Sequence, residues 1–269
     1  MAPYVKRASA IYGARVSLIH VVDPASFNSF ALVREPFSEM AENYLESGRE
    51  KLDRFLAAEF PAAESSRIVA LGEAAAEIAR VAKDEKFDII IMPTHAGRFR
   101  QMLLGSTTAK VLNDADCPVL TSTHAETIAP RPLEHREWLC AIGLNRDSER
   151  VLRFASRGAA EVGAKLSLIH AVRTAEPDLP IQLDLKEELR SAERELARQR
   201  IGELQRNIGS DFSVRIAVGS VKEALLETAR ETDADALIIG RGFQSGARGR
   251  MRDLTYTVVR DSPFPVLSV

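Results

Sequence analysis

The stretch Gly13–Val22, GARVSLIHVV, returns 150 residues later as Gly163–Val172, GAKLSLIHAV, with seven of ten positions identical. Further matches follow at an offset of 147 residues, among them Asp88 with Asp235. Self-similarity at a fixed spacing is the mark of a duplicated structural unit and takes precedence over any local assignment. The chain is therefore predicted to contain two copies of one domain.

The segment between the copies has the composition of a linker. Ser122–Arg136, STHAETIAPRPLEHR, is polar, contains two prolines and shows no apolar periodicity. We assign the first domain to residues 1–123, the linker to residues 124–136 and the second domain to residues 137–269. A chain of 269 residues accommodates two domains of ordinary size.

The second copy alternates short apolar runs with amphipathic segments. Trp138–Ile142 and Ala236–Ile239 are typical of strands buried on both faces, and the segments between such runs have the apolar spacing of helices. In the long helix predicted over Leu185–Ile208, the expected buried side chains are Leu185, Leu189, Leu196, Ile201 and Leu204. The alternation predicts an α/β fold with a doubly wound parallel sheet of five strands. A ligand would then lie at the carboxyl ends of the strands, where the winding reverses.

The first copy lacks its first strand. The second copy has 26 residues, Glu137–Val162, ahead of Gly163, whereas the first has 12 residues ahead of Gly13. Those 12 residues suffice for the end of a helix and leave none for the strand before it. Loss of a central strand would leave unpaired sheet edges. Two interpretations stay open: the chain begins late relative to its natural gene, or another strand fills the position.

Composition excludes several classes of protein. A net charge of −2 with 45% hydrophobic and 28% charged residues is typical of a soluble globular protein, and it excludes disordered, collagen-like and polycationic chains. Apolar runs are far shorter than the roughly 18 residues of a membrane helix, and the N-terminus lacks a signal-peptide core. Cys117 and Cys140 have no disulfide or metal spacing. We expect a cytoplasmic protein with neither a membrane nor a nucleic-acid partner.

Two adjoining motifs carry a family resemblance. Gly72–Met92 reads GExxxEIxxxAKxxxxDxIIM, and Thr94–Leu120 reads THAGRFRQMLLGSTTAKVLNDADCPVL. Together they resemble the universal stress protein family, and the duplication is similar to that of its tandem members. The resemblance implies a Rossmann-like strand order 3-2-1-4-5 in each domain, with the first strand missing from the first domain. It also implies a stress-response role. Some members bind ATP or AMP through an Asp after the first strand and a G-x2-G-x9-G-[S/T] loop, and others act by association alone.

The start of a predicted helix in the first domain is the candidate nucleotide site. Backbone N–H groups at a helix start attract phosphate, and Ser106 adds a hydroxyl there. The resemblance assigns the site to Gly105, Ser106, Thr107, Gly97, His95 and the backbone near Val21. The alternative is ordinary N-capping by Ser106. Seven residues separate Gly97 from Gly105 where the family pattern has nine.

The nucleotide motif is degenerate in the second domain. Gly143 occupies the position of the family Asp, and Arg252-Asp253 occupies that of Gly105-Ser106. A carboxylate at that predicted helix start would repel phosphate. The arginines of the preceding loop form a candidate anion site: Arg241, Arg248, Arg250 and Arg252. The alternative is an ordinary solvated loop.

The sequence offers no basis for assigning catalytic residues or metal ligands. His20 and His170 occupy matched strand positions and are interpreted as hydrogen-bonded structural residues, because neither has a Ser or Cys partner in sequence. We do not expect the protein to be an enzyme; at most, it would hydrolyse ATP slowly.

Two functions follow as hypotheses. In the first, the protein is a stress-response protein that binds an adenine nucleotide weakly in its first domain and acts through association. In the second, it is a nucleotide-independent scaffold or regulatory interaction protein. The family resemblance implies a pseudo-dimer through the last strands, so Pro118–Thr123 and Pro265–Val269 are expected to lie close together. A homodimer of two chains stays open.

Overall fold

The computed structural model describes residues 2–23, 37–94, 104–122, 135–172, 183–241 and 248–269. Helices and strands alternate along these ranges. The helices are α1 Ala2–Tyr12, α2 Phe37–Arg54, α3 Ala74–Asp84, α4 Ser106–Asp114, α5 Ser148–Val162, α6 Leu183–Ile208, α7 Val221–Glu231 and α8 Arg248–Asp261. The strands are β1 Val16–Val22, β2 Ser65–Leu71, β3 Ile90–Pro93, β4 Val119–Ser122, β5 Glu137–Ala141, β6 Lys165–Val172, β7 Ser213–Val218, β8 Ala236–Ile239 and β9 Val266–Ser268.

The chain forms two compact units. The first contains residues 1–92 and 105–119, and the second contains residues 93–104 and 120–269. Most of β4 therefore clusters with the second unit although it is the last strand of the first repeat. Spatial clustering and sequence duplication are different criteria, so the limits of the two domains stay predictions.

In the second unit the strands of the second repeat lie in the order β7-β6-β5-β8-β9, with every neighbouring pair parallel. This is the order 3-2-1-4-5 with β5 at its centre, so the predicted doubly wound α/β fold is confirmed. The side chains of β8 are all buried, as expected for a parallel strand covered on both faces. Helix α5 ends at Gly163, whose φ of 72° lies in the left-handed region that glycine adopts without strain.

Strand β4 lies next to β9 in the second unit. The Thr121 hydroxyl donates a hydrogen bond to the carbonyl oxygen of Val266 at 3.3 Å. Thr121 is fully buried. The last strands of the two repeats are thus neighbours at this point of the second unit.

The buried face of the long helix α6 differs from the one predicted from the sequence. Leu189 and Leu196 are 50% and 48% exposed, whereas Ala197 and Ile201 are buried. Residues four apart lie on one face of a helix, and here Ala197, Ile201 and Gln205 form that face. Leu196 comes one residue before Ala197, so it lies on a different face of the helix and points away from the core. The prediction that Leu189 and Leu196 are buried was therefore wrong.

In the first unit β1 and β2 form a two-stranded parallel sheet, with Val16 opposite Ser65 and Val22 opposite Leu71. Strand β3 does not pair with β1 in the described residues. Ile90 N–H donates to the carbonyl oxygen of Pro118 at 2.9 Å. Among the described residues, no strand of the first unit lies between β1 and β3, which is the position that β5 occupies in the second repeat.

None of the helices in the described ranges is both long enough and apolar enough to cross a membrane.

Candidate functional site

The amino end of α4 is the part of the predicted nucleotide site that the structure describes best. Gly105 precedes the helix with φ −58° and ψ 139°, and its carbonyl oxygen accepts the N–H of Ala109 at 2.9 Å. No side-chain hydrogen bond caps the helix start, and its first turn holds no acidic residue. Ser106 is exposed. The predicted N-capping by Ser106 does not occur, because Ser106 is the first helical residue and Gly105 takes the cap position.

A lysine pairs with a glutamate beside this helix. Glu73 caps α3 by accepting the Ala76 N–H at 2.9 Å, and its other oxygen accepts from Lys110 Nζ of α4 at 2.8 Å. The hydrogen bond from Lys110 lowers the pKa of the Glu73 carboxyl, and the Ala76 N–H adds to the shift. Glu73 therefore stays ionised and offsets the charge of Lys110. A phosphate at α4 would be held chiefly by backbone N–H groups.

The end of β1 lies within electrostatic reach of the same lysine. Hydrogen bonding to Glu73 raises the pKa of Lys110, and the negative charge of Asp23 contributes further in the same direction. Asp23 follows Val22, the last residue of β1. Val21 is half-buried on this strand and lies opposite Ala70 of β2. The starts of α3 and α4 and the end of β1 thus belong to one neighbourhood of the first unit.

Two of the predicted nucleotide-site residues, His95 and Gly97, lie outside the described residues. Thr107 follows Ser106 in the first turn of α4 and is half-buried. Sequence reasoning missed Glu73, Lys110 and Asp23. The signal for Glu73 was its place directly ahead of a helix, where a carboxylate can cap backbone N–H groups. The Lys110 contact bridges 37 residues of sequence and had no local signal.

In the second repeat, the two residues matched to Gly105-Ser106 do not lie at the start of a helix. Helix α8 begins at Arg248, so Arg252 and Asp253 lie inside it and not at its start. The predicted position of that carboxylate was therefore wrong, since the helix begins four residues earlier. Gly143 follows the end of β5, and a Cβ there would lie 3.1 Å from Asn145 Nδ2.

The structure describes the predicted arginine cluster only in part. Arg241 is half-buried, and its backbone N–H donates to the carbonyl oxygen of Val269 at 3.0 Å. Arg248, Arg250 and Arg252 belong to α8, and their side chains lie outside the described residues. The anion site stays a prediction.

His170 and Cys140 contact the central strand of the second repeat. His170 Nδ1 donates to the carbonyl oxygen of Ile142 at 2.7 Å, just past the end of β5. Complete burial raises the pKa of the Cys140 thiol to about 12, so the thiol stays protonated and is a poor nucleophile. Cys117 is half-buried. Over the described ranges, no group of three His, Cys, Asp or Glu side chains is placed to hold a metal ion.

Comparison with known proteins agrees with this geometry. A family model described as "Universal stress protein family" matches residues 4–122 and again residues 136–269. The chain belongs to the universal stress protein family. Because the match occurs twice, the chain is a tandem universal stress protein.

Individual relatives match one repeat at a time. "Universal stress protein A homolog 2" of Coxiella burnetii is 31% identical over 115 residues, which cover 43% of this chain and 78% of the relative. A universal stress protein of Thermus aquaticus is 30% identical over 125 residues, which cover 44% of this chain and 88% of that relative. A universal stress protein structure from Archaeoglobus fulgidus matches at full length, with a TM-score of 0.65 and 22% identity over 99% of this chain and 89% of that one. This last likeness shows the fold.

Proposed function

We propose that this tandem universal stress protein binds an adenine nucleotide, ATP or AMP, weakly at the amino end of α4 and acts in stress response through association with other molecules. The observation that carries the proposal is the start of α4. It has no side-chain cap, it has no acidic residue in its first turn, and Ser106 is exposed beside it. Backbone N–H groups at a helix start, with the positive end of the helix dipole, favour a bound phosphate.

The surrounding charges support weak binding. Lys110 is paired with Glu73 at 2.8 Å, so its charge is already largely balanced. Asp23 adds a second carboxylate in the same neighbourhood. With little net positive charge near the helix start, phosphate affinity depends on a few backbone hydrogen bonds. We propose that the loop residues Gly97 and His95 complete the phosphate contacts and that the backbone at Val21 contacts the adenosine end.

The second repeat has the role of an association module in this proposal. Its glycine-loop counterpart lies inside α8, and Gly143 replaces the family Asp. The neighbouring strands β4 and β9 support a pseudo-dimer of the two repeats through their last strands.

Calorimetric titration of the full chain with Mg-ATP, and separately with AMP, tests the nucleotide site. We expect weak saturable heat that Ser106→Glu reduces at least about tenfold in affinity, because the new carboxylate repels phosphate while suiting the helix dipole. Ser220→Glu is the matched control, since it adds the same charge at the start of α7 in the second repeat. Equal heats for all three proteins would contradict a site at α4.

The second candidate is a nucleotide-independent scaffold. The Glu73–Lys110 pair and Asp23 favour it, because they reduce the positive charge available to a phosphate. Sedimentation velocity with and without Mg-ATP separates the two functions. Nucleotide-dependent association favours the first, whereas absent heat together with unchanged association favours the scaffold.

A further inference from the structure

The carboxylate of Glu73 joins the starts of two helices in the first unit. One of its oxygens accepts the Ala76 N–H at 2.9 Å and so caps α3, and the other accepts from Lys110 Nζ of α4 at 2.8 Å. A second ion pair, between Lys83 Nζ and Asp116 at 3.0 Å, joins the far ends of the same two helices. The helices therefore run in the same general direction, and Glu73 holds Lys110 at the end where both begin.

Lys110 lies on the face of α4 that leads to the candidate phosphate position. It follows Ser106 by four residues, so the two side chains are one turn apart on one side of the helix. Side chains of an α-helix lean toward its amino end, which directs the Lys110 ammonium toward the helix start. Lys110 is the only basic residue of α4. It is therefore the one side chain of this helix that can add a positive charge to a bound phosphate.

The pair of Glu73 and Lys110 is a surface contact. The two side chains are 47% and 56% exposed. Exposed ion pairs contribute little to stability, because water and dissolved ions screen both charges. A phosphate group carries more negative charge than a carboxylate near neutral pH, and it accepts strong hydrogen bonds from an ammonium group. A phosphate at the start of α4 can therefore compete with Glu73 for the lysine.

The second repeat lacks both members of this pair. At the 147-residue offset, Ser220 stands at the position of Glu73, and Thr257 stands at that of Lys110. The same repeat lacks the helix start that Gly105-Ser106 forms in the first repeat. The pair and the candidate phosphate position are thus present together in one repeat and absent together from the other. This joint occurrence links the pair to phosphate binding more than to the packing of the two helices.

We propose that Lys110 binds a nucleotide phosphate at the start of α4, and that Glu73 limits the affinity of this site by competing for the lysine. The inference rests on the nucleotide site proposed above and adds two residues to it. When a phosphate reaches the backbone N–H groups of the helix start, Lys110 leaves Glu73 and donates to a phosphate oxygen. Glu73 keeps the Ala76 N–H, so α3 stays capped during the exchange. The negative charge of Asp23, which also acts on Lys110, favours the state without phosphate.

A double-mutant cycle, measured by calorimetric titration of the full chain with Mg-ATP and with AMP, tests the exchange. Glu73→Gln removes the charge but keeps an oxygen for the Ala76 N–H. It should raise the affinity about tenfold, because Lys110 no longer has to leave an ion pair. In the Lys110→Met background the same change should give only about threefold, the part due to direct repulsion between carboxylate and phosphate.

Asp116→Asn is the matched control for the loss of a carboxylate. It disrupts the pair with Lys83 at the far end of the same two helices. Ten residues of helix separate Lys83 from Glu73, about 15 Å, which exceeds the Debye length of about 10 Å at 0.1 M salt. The affinity for nucleotide should therefore stay unchanged in this variant.

Two further substitutions separate the charge of each residue from its shape. Lys110→Arg should retain most of the affinity, since a guanidinium also donates to phosphate, whereas Lys110→Met should lower it about tenfold. Glu73→Ser introduces the residue type that the second repeat has at Ser220, and it should raise the affinity as Glu73→Gln does. Circular dichroism verifies that each variant is folded.

Nuclear magnetic resonance of the chain with 13C-methylated lysines observes the exchange directly. The Lys110 resonance is assigned by its loss in Lys110→Arg. Saturation with Mg-ATP should shift this resonance, because the ammonium group changes its partner from Glu73 to a phosphate. The Lys83 resonance should not move, since its contact with Asp116 is distant from the helix start.

The outcomes distinguish this inference from the proposed nucleotide site. No heat from either wild type or Glu73→Gln would refute both the site and the exchange. Binding by wild type with the same affinity in Glu73→Gln, or equal gains in the Lys110 and Lys110→Met backgrounds, would keep the site and refute the exchange. An unmoved Lys110 resonance at saturation would do the same. Heat from Glu73→Gln alone would support the exchange, since removal of the competing carboxylate would then have exposed the site.

Discussion

Strands β1 and β6 share the sequence Ser-Leu-Ile-His but differ in burial. Leu168 and Ile169 of β6 are completely buried, whereas Leu18 and Ile19 of β1 are half-buried. Strand β6 has a hydrogen-bonded strand on each side, and β1 has one neighbour among the described residues. The same side chains therefore gain different amounts of hydrophobic stabilisation, at about 25 cal/mol per Å² of apolar surface removed from water.

The contrast shows that the central strand organises the layers around it. In the second repeat, Val151, Leu152 and Ala155 of α5 are buried. Helix α1 stands at the matched place in the first repeat, and there Val5, which matches Ala155 at the 150-residue offset, is half-buried. A central parallel strand is covered by helices on both faces, so its absence reduces the burial of helix and sheet together.

Matched truncation of the two shared leucines gives the largest expected difference. Leu168→Ala should lower the free energy of unfolding by about 3 to 4 kcal/mol, because a completely buried leucine leaves a cavity, and Leu18→Ala by about half as much. Urea unfolding followed by the fluorescence of Trp138 measures the first variant. Hydrogen exchange of the β1 amides measures the second. Equal losses in the free energy of unfolding would contradict the expected difference between the two repeats.

Removal of the two matched aspartates has the next largest effect. Asp235→Ala should cost about 2 kcal/mol, since the N–H groups of Arg136 and Glu137 lose a charged acceptor, whereas Asp88→Ala should change stability by less than about 0.5 kcal/mol. Urea midpoints by fluorescence and by circular dichroism give the two values. A large loss from Asp88→Ala in the isolated chain would show that this carboxylate already has a structural partner.

The repeat and the alternation of elements were enough to predict the α/β fold and the strand order of the second repeat. These features depend on local apolar patterns and on Gly13–Val22 matching Gly163–Val172. Burial was less predictable. Leu196 has the side chain of a core residue, but the register of α6 places Ala197 and Ile201 toward the core instead.

The sequence predicted the candidate site only where its residues lie together in one short segment. Gly105-Ser106 stands at a helix start, as its sequence indicated. The Glu73–Lys110 pair and the contact of Asp235 with Arg136 span 37 and 99 residues, so they depend on tertiary packing. Asp88 and Asp235 were matched from sequence, but the structural role of Asp235 became visible only through its hydrogen bonds with the Arg136 and Glu137 N–H groups.

A helix glycine sharpens the comparison further. A Cβ at Gly158 of α5 would lie 2.9 Å from Cζ3 of Trp138, and the matched residue of the first repeat is Ala8. Gly158→Ala should therefore destabilise the second unit by about 1 kcal/mol, the cost of overpacking being partly offset by better helix propensity. The midpoint of urea unfolding, followed by the fluorescence of Trp138, measures this destabilisation, and the emission maximum of Trp138 shows whether the ring has moved. Stabilisation would show that the ring moves aside freely.

The smallest expected effect is a pH dependence confined to the second repeat. Trp138 Nε1 donates to His135 Nδ1 at 2.9 Å, so the ring is neutral in this contact. Burial lowers the pKa of His135, and the charge of Asp235 opposes the shift only partly. Below about pH 6.5, where an unperturbed histidine binds its proton, the unfolded chain takes up more protons than the folded one, and stability falls as the pH decreases.

The Trp138 unfolding transition should therefore move to lower urea between pH 7.5 and pH 5.5, two values chosen to bracket the ordinary histidine pKa. His135→Phe should reduce this slope because it removes the titrating group, while His20→Phe, in the first repeat, should leave it unchanged. An identical slope in wild type and His135→Phe would mean that other groups govern the acid sensitivity of the second unit. A slope reduced by His20→Phe would instead couple the first repeat to the unfolding of the second.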